Sequence, residues 1–254
     1  VYTSTDGGNS WTQHTSLGAQ GWASASISSD GSTMAVSGAG TSIYISTTTG
    51  ATWEEQDISS PGQRHWTSLV LSDDGTKLAA SAYYSQNIWT ATTTGSTWTW
   101  TEQTGSGTKN WNWLAGSADG QTLLSAEYNG YIYTSTNGGV SWTEQTSEPA
   151  SAWVTLSMSG DGSIMGASIE AGAFYISTDG GVNWVEQTDI GINIFHSAFS
   201  FDGSKIVATQ YGGQIFISND SGATWMAGSP ALDWYSIGVS DDGETALAMS
   251  PLGN

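Results

Sequence analysis

The chain contains no cysteine, so it can form neither a disulfide nor a thiolate site, an absence that suits oxidising and reducing compartments equally. Cations are nearly as scarce: four lysines and arginines stand against 23 acidic residues, a formal charge of −19. Binding a phosphate backbone needs clustered positive charge, so nucleic acid is excluded as a partner. No apolar run approaches the roughly 20 residues that cross a bilayer, and no basic segment with an apolar stretch opens the chain, so no membrane insertion is expected. Sustained helical periodicity and helix caps are missing too, which leaves an essentially all-β reading. Abundant acid with little lysine suits a salty setting where repulsion is screened, and we expect an extracellular or periplasmic protein.

The chain is 37% apolar and carries 14 tryptophans in 254 residues, enough to build a packed core. Its organisation is an internal repeat. The octets STDGGNSW, STTTGATW, ATTTGSTW, STNGGVSW, STDGGVNW and SNDSGATW end at Trp11, Trp53, Trp98, Trp142, Trp184 and Trp225. The spacing, about 41 to 45 residues, is that of a four-stranded propeller blade. A second motif interleaves, with an aspartate before glycine at Asp30, Asp74, Asp119, Asp161, Asp202 and Asp242. Within one unit, WTSLVLS, KLAASAY, NIWTAT and TWTWTEQ read as strands A to D, separated by hairpin turns. Six units predict one six-bladed β-propeller over residues 1–254, with blades at about 22–57, 66–104, 111–146, 153–188, 194–227 and 234–254 plus 1–15. The last blade is expected to combine an N-terminal strand C and D with a C-terminal strand A and B, closing the ring.

The octets resemble the Asp-box (BNR) repeat, S-x-D-x-G-x-T-W, of sialidase-type propellers, two-propeller glycoside hydrolases, sortilin-like receptors, propeller lectins and photosystem II assembly factors. Asp6, Asp179 and Asp220 match its acid, Asn137 replaces it once, and Thr48 and Thr93 replace it twice. Physically the box reads as structural. Its acid can accept backbone N–H bonds within the C–D turn, its glycine can take positive φ, and its tryptophan can bury against a neighbour. In an A-B-C-D meander the boxes share a face with the A–B turns, and the family's binding sites lie on the opposite face of D–A and B–C loops.

On that face, Trp22, Trp66, Trp111, Trp153, Ile194 and Trp234 each stand eight residues before an Asp-Gly aspartate. Such a ring suits sugar stacking and suits inter-blade packing. Arg64 and Lys109 precede Trp66 and Trp111 in successive D–A loops, with His65 beside them and Tyr83, Tyr84, Glu127 and Tyr128 in nearby B–C loops. Together with Trp113 these residues form the candidate ligand site; alternatively, the two cations only pair with surface acids. The family's sialidases hold a carboxylate with three arginines, and this chain has one, which excludes that activity. Its two-propeller hydrolases use a cleft between domains, and one propeller supplies half of it.

The expected function is therefore a non-catalytic binding module for a glycan, with a protein-assembly scaffold as the alternative. A second alternative is a glycosidase using Glu127 and Glu170, which the sequence places at matching loop positions. Such an enzyme needs its carboxyls about 5 to 9.5 Å apart. No cofactor and no metal is expected: His14, His65 and His196 lie in different units without ligand spacing. The sequon at Asn219 falls inside an octet.

Overall fold

The computed structural model describes residues 1–58, 64–229 and 231–250. Residues 251–254, the end of the expected last blade, lie outside it. Each of the first five repeats folds as four antiparallel strands. The first comprises β3 (Trp22–Ile27), β4 (Met34–Thr41), β5 (Ile43–Ser46) and β6 (Glu54–Gln56), and the second β7 (Arg64–Leu71), β8 (Lys77–Ala82), β9 (Ile88–Thr93) and β10 (Trp98–Gln103). The third has β11 (Trp111–Gly116), β12 (Leu123–Glu127), β13 (Ile132–Ser135) and β14 (Thr143–Gln145). The fourth has β15 (Trp153–Met158), β16 (Met165–Ile169), β17 (Phe174–Ser177) and β18 (Val185–Glu186). The fifth has β19 (Ile194–Phe199), β20 (Ile206–Gln210), β21 (Ile215–Ser218) and β22 (Met226–Ala227). A pairing of Ala39 with His65 and Thr41 with Arg64 joins the end of β4 to the start of β7 and so fuses the first two sheets. These repeated sheets, with only short 3-10 turns between some of them, make the chain an all-β propeller with six blade positions.

The sixth position is divided. Strands β1 (Tyr2–Thr3) and β2 (Thr12–Gln13) form one two-stranded sheet, and β23 (Ser236–Val239) and β24 (Ala246–Met249) form another. The C-terminal pair docks on blade five, where the Phe201 N–H donates to Asp241 O at 2.9 Å. The N-terminal pair lies beside blade one, with Tyr2 and Trp11 sharing a cavity with Ile27, Met34 and Trp53. The expected ladder between β24 and β1 is not formed among the described residues. A two-residue strand offers few ladder bonds, so each half-blade is placed by packing on its neighbour.

The interleaved Asp-Gly motif explains how the innermost strands are joined. In each copy a serine hydroxyl donates to the aspartate two residues on, as Ser72 Oγ does to Asp74 Oδ1 at 2.6 Å. The aspartate then accepts the next turn N–H, from Thr76 at 2.9 Å, which shapes a tight A–B turn. These turns are linked blade to blade by main-chain bonds: Ser29 N–H to Asp73 O, Asp73 N–H to Ala118 O, Ala118 N–H to Gly160 O, and Asp161 N–H to Phe201 O, all between 2.7 and 3.0 Å.

The octets form the C–D turns. Asp179 Oδ1 accepts the Asn183 N–H at 2.9 Å and the Ser177 hydroxyl at 2.9 Å, and Asp6, Asp220 and Asn137 repeat the pattern. Thr48 does so with its hydroxyl, accepting the Thr52 N–H at 2.8 Å. Thr93 departs from the expected substitution, because its hydroxyl donates to the carbonyls of Gly95 and Thr97 instead. The box glycine is required at Gly181, where φ is +90° and an added Cβ would stand 2.6 Å from Thr134 Cγ2 of the preceding blade. Gly181→Ala should therefore cost about 2 kcal/mol in chemical denaturation; a neutral result would show that the inter-blade contact yields freely.

Candidate functional site

The D–A and B–C loops meet on one face, as Gln86 bridges Lys109, Gly130 bridges Ser151 and Gly213 bridges Leu232. Of the tryptophans expected to ring its mouth, three are core residues, while Trp22 and Trp234 are half-buried. Trp111 is fully buried, Trp66 and Trp153 nearly so, and Ile194 likewise. Trp153 Nε1 donates to Gly130 O of the preceding blade at 3.0 Å, and Trp22, Trp111 and Trp153 meet Tyr44, Tyr133 and Tyr175 edge-on with centroids 5.1 to 5.9 Å apart. Each such pair adds about 0.5–1.5 kcal/mol beyond its burial.

Arg64 is equally internal at 5% exposed. Its guanidinium lies 4.5 Å from the Trp89 ring centroid and 5.7 Å from that of Trp66, and it also donates to Ile58 O and Gln86 Oε1. Burial pulls its pKa down while Glu102 supports the charge. Arg64 is thus a packing cation. Lys109 Nζ pairs with Glu127 Oε2 at 3.1 Å and sits 4.8 Å from the Tyr133 ring. Burial opposes its charge, but the bonds with Tyr133 and Glu127 prevail and its pKa is raised. Tyr133 itself is pushed up to about 12, by burial first and by its bond to Glu144 second.

What remains at the surface is an aromatic group. His65 and Tyr84 are 5.3 Å apart, Tyr83 and Tyr84 5.2 Å, and Tyr83 and Tyr128 5.8 Å, all edge-on. Polar groups flank it: Asn110 Oδ1 accepts the Ser85 N–H, and Gln86 Nε2 donates to Tyr84 O. Trp113 is not in this group. Its ring meets His196 at 5.9 Å, a contact that skips blade four and therefore lies at the centre of the ring of innermost strands. Burial lowers the pKa of His196 there.

The backbone register of the loops corrects one expectation. In blades two to five, the N–H groups of Tyr83, Tyr128, Glu170 and Tyr211 donate to His65, Asn110, Ala152 and Asn193 carbonyls respectively. Glu170 therefore corresponds to Tyr128, one residue beyond Glu127, which pairs with Trp111 as Ile169 pairs with Trp153. The two glutamates do not hold matching positions, and Glu127 is engaged by Lys109. Among the described residues no three His, Asp or Glu side chains converge as metal ligands.

The same register shows a backbone feature at the position of Tyr84 that the sequence did not reveal. Gly40, Tyr84, Asn129, Ala171 and Gly212 follow these residues in blades one to five, and all have φ between 51° and 67°. Left-handed backbone favours glycine and asparagine. Blade two places there a tyrosine that is 64% exposed.

A second feature is a β-bulge in each of the first five innermost strands, directly after the tryptophan or isoleucine, at Ala23, Thr67, Asn112, Val154 and Phe195. Bulges re-aim side chains. Thr67 and Asn112 use theirs to donate to the Trp111 and Trp153 carbonyls of the next blade at 3.0 Å. Val154 and Phe195 cannot, and Phe195 instead packs on Tyr211 and Tyr235 with centroids 6.2 and 5.4 Å away.

No family model matches the chain, and no curated protein does. Among solved structures, the chain is similar to a GH74 enzyme of Niastella koreensis, with TM-score 0.58 and 19% identity over 80% of this chain and 30% of that one. It is also similar to the Cps50 (Swd1) beta-propeller domain of Myceliophteria thermophila, with TM-score 0.66 and 12% identity over 91% of this chain and 80% of that one. At these identities the likeness concerns the fold, and the fold is a β-propeller.

Proposed function

We propose that this propeller is a non-catalytic binding module that holds a glycan on its D–A and B–C loop face, at the group formed by His65, Tyr83, Tyr84 and Tyr128. The observation that carries the reading is Tyr84, an exposed tyrosine at a left-handed position that the other blades fill with glycine, asparagine or alanine. A local rule broken at a largely exposed side chain points to a functional position. The chemistry around it suits a sugar: ring faces for stacking, with the Asn110 and Gln86 amides and the Lys109–Glu127 pair nearby for hydroxyls. The octets' resemblance to Asp-box propellers, which include lectins, supports the same reading.

The test is a glycan array probed with the wild type and with Tyr84→Asn. The substitution relieves the backbone, so stability should hold or rise by up to about 1 kcal/mol, while bound glycan signal falls at least tenfold. That split separates a binding tyrosine from a structural one. Silence of the wild type across a broad array would overturn the glycan reading and favour a protein-assembly scaffold on this face.

A further inference from the structure

The cleft between blades four, five and six is a separate place on the loop face, built where the repeat's polar bulge links give way. It encloses about 390 Å³ between Val154, Ile169, Glu170, Phe195, Tyr211 and Tyr235. Three rings form one wall. Phe195, Tyr211 and Tyr235 lie 5.4 to 6.2 Å apart at mutual angles of 47° to 73°, and each is between 38% and 49% exposed. The rest of the lining is mostly aliphatic, and the main chain of Asn193 is committed, its N–H to Gly172 O and its carbonyl to the Tyr211 N–H. The cleft's polar side chains are Glu170, Asn193 and the two tyrosine hydroxyls.

Negative charge surrounds the rings. Glu170 lines the cleft, and Asp233 approaches its Tyr211 loop, with Oδ1 3.8 Å from where a Cβ on Gly212 would stand. Neither carboxylate has a hydrogen-bond or ion-pair partner among the described residues. The chain's own cations are all placed elsewhere. Arg64 lies against Trp89, Lys109 is on Glu127, Lys77 Nζ donates to Asp119 O at 2.5 Å, and Lys205 Nζ donates to Gly243 O at 2.6 Å. The net charge of −19 raises the local concentration of any cation.

We propose that this cleft binds an alkylated ammonium ion. A quaternary ammonium has no N–H to satisfy, so an apolar pocket costs it little, while ring faces and nearby carboxylates answer its charge. The same headgroup occurs on small molecules and on methylated lysine side chains, and the cleft is open to either.

The experiment is a titration of the intact chain, followed by ring-proton chemical shifts, with choline and with its uncharged isostere 3,3-dimethylbutanol. We expect choline to bind at least tenfold more tightly and to shift Phe195, Tyr211 and Tyr235 but not Tyr84. Phe195→Leu should abolish the response, and Glu170→Gln, which leaves the core untouched, should weaken it two- to fivefold and flatten its salt dependence. Equal binding of both compounds, or an unchanged response in Glu170→Gln, would overturn the proposal. So would shifts of these rings by a neutral methyl glycoside instead of choline. A trimethyl-lysine peptide binding more tightly than choline would identify a polypeptide as the source, and equal affinity a small molecule. Tyr84→Asn should leave this titration intact, which keeps its outcome distinct from that of the glycan array.

Discussion

Trp111→Ala should lower the unfolding free energy by about 3–5 kcal/mol and the apparent midpoint by roughly 10 °C, whereas Trp11→Ala should stay within about 1 kcal/mol of wild type. The two residues are the same type, and their surroundings differ. Trp111 has no exposed surface, meets Tyr133 at 5.1 Å and Trp142 at 6.0 Å, and donates from Nε1 to Gly107 O. Removing it leaves a void among Leu114, Leu123 and Ile88, which share its cluster, and leaves the Gly107 carbonyl with only the Ser106 hydroxyl at 3.4 Å. Trp11 is 64% exposed on a two-stranded half-blade. Guanidinium unfolding of both variants decides the matter. A small effect at Trp111 would mean that the indole is a surface platform after all, and the binding face would need to be redrawn around it.

The contrast shows what the sequence could and could not say. Turns were legible because their bonds are local: Ser72 to Asp74 spans two residues and recurs in every unit, and Asp179 to Asn183 spans four and recurs in every octet but that of Thr93. A propeller follows from that recurrence. The fate of Trp66 and Trp111 was not legible, since a tryptophan at each blade's entrance reads alike as platform or packing until its neighbours are placed. Arg64 misled for the same reason, because Trp89, the ring nearest its guanidinium, belongs to another strand. The equivalence of Glu127 and Glu170 failed by one residue, because loop offsets do not show which residue pairs across the hairpin. The cleft of Phe195, Tyr211 and Tyr235 went unseen because its lining is drawn from separate segments of three blades. A signal was present: at the position after the repeated tryptophan or isoleucine, Thr67 and Asn112 are small and polar, Ala23 and Val154 are aliphatic, and Phe195 and Tyr235 are aromatic.

Acid should unfold the protein through its turns, and salt should separate this from the effect of net charge. The hydrogen bonds from Ser10 and Ser4 hold the Asp6 carboxyl at about 2, and serine, threonine, asparagine or backbone donors likewise lower Asp30, Asp74, Asp119, Asp179, Asp202, Asp220 and Asp242. In Asp161 burial opposes the shift and the Ser159 and Ser163 bonds outweigh it. A carboxylate with a depressed folded pKa stabilises above its unfolded value near 4 and loses that contribution as pH falls through the folded value. His196, lowered by burial, acts in the same direction from about pH 6.5 downward. Asp73 acts oppositely, since burial and Asp241 raise its pKa. Self-repulsion from the charge of −19 also opposes folding at neutral pH and fades as carboxylates are protonated. At low salt, stability should therefore rise from pH 7 to about 5 and fall steeply between about 4 and 2. Salt at about 0.5 M screens the long-range repulsion and should erase the rise. It should leave the fall, because each turn carboxylate is held by donors at hydrogen-bond distance. Urea midpoints across pH at two salt concentrations measure both limbs. An acid limb that vanished with added salt would show that net charge, and not the turn carboxylates, governs the acid stability of this propeller.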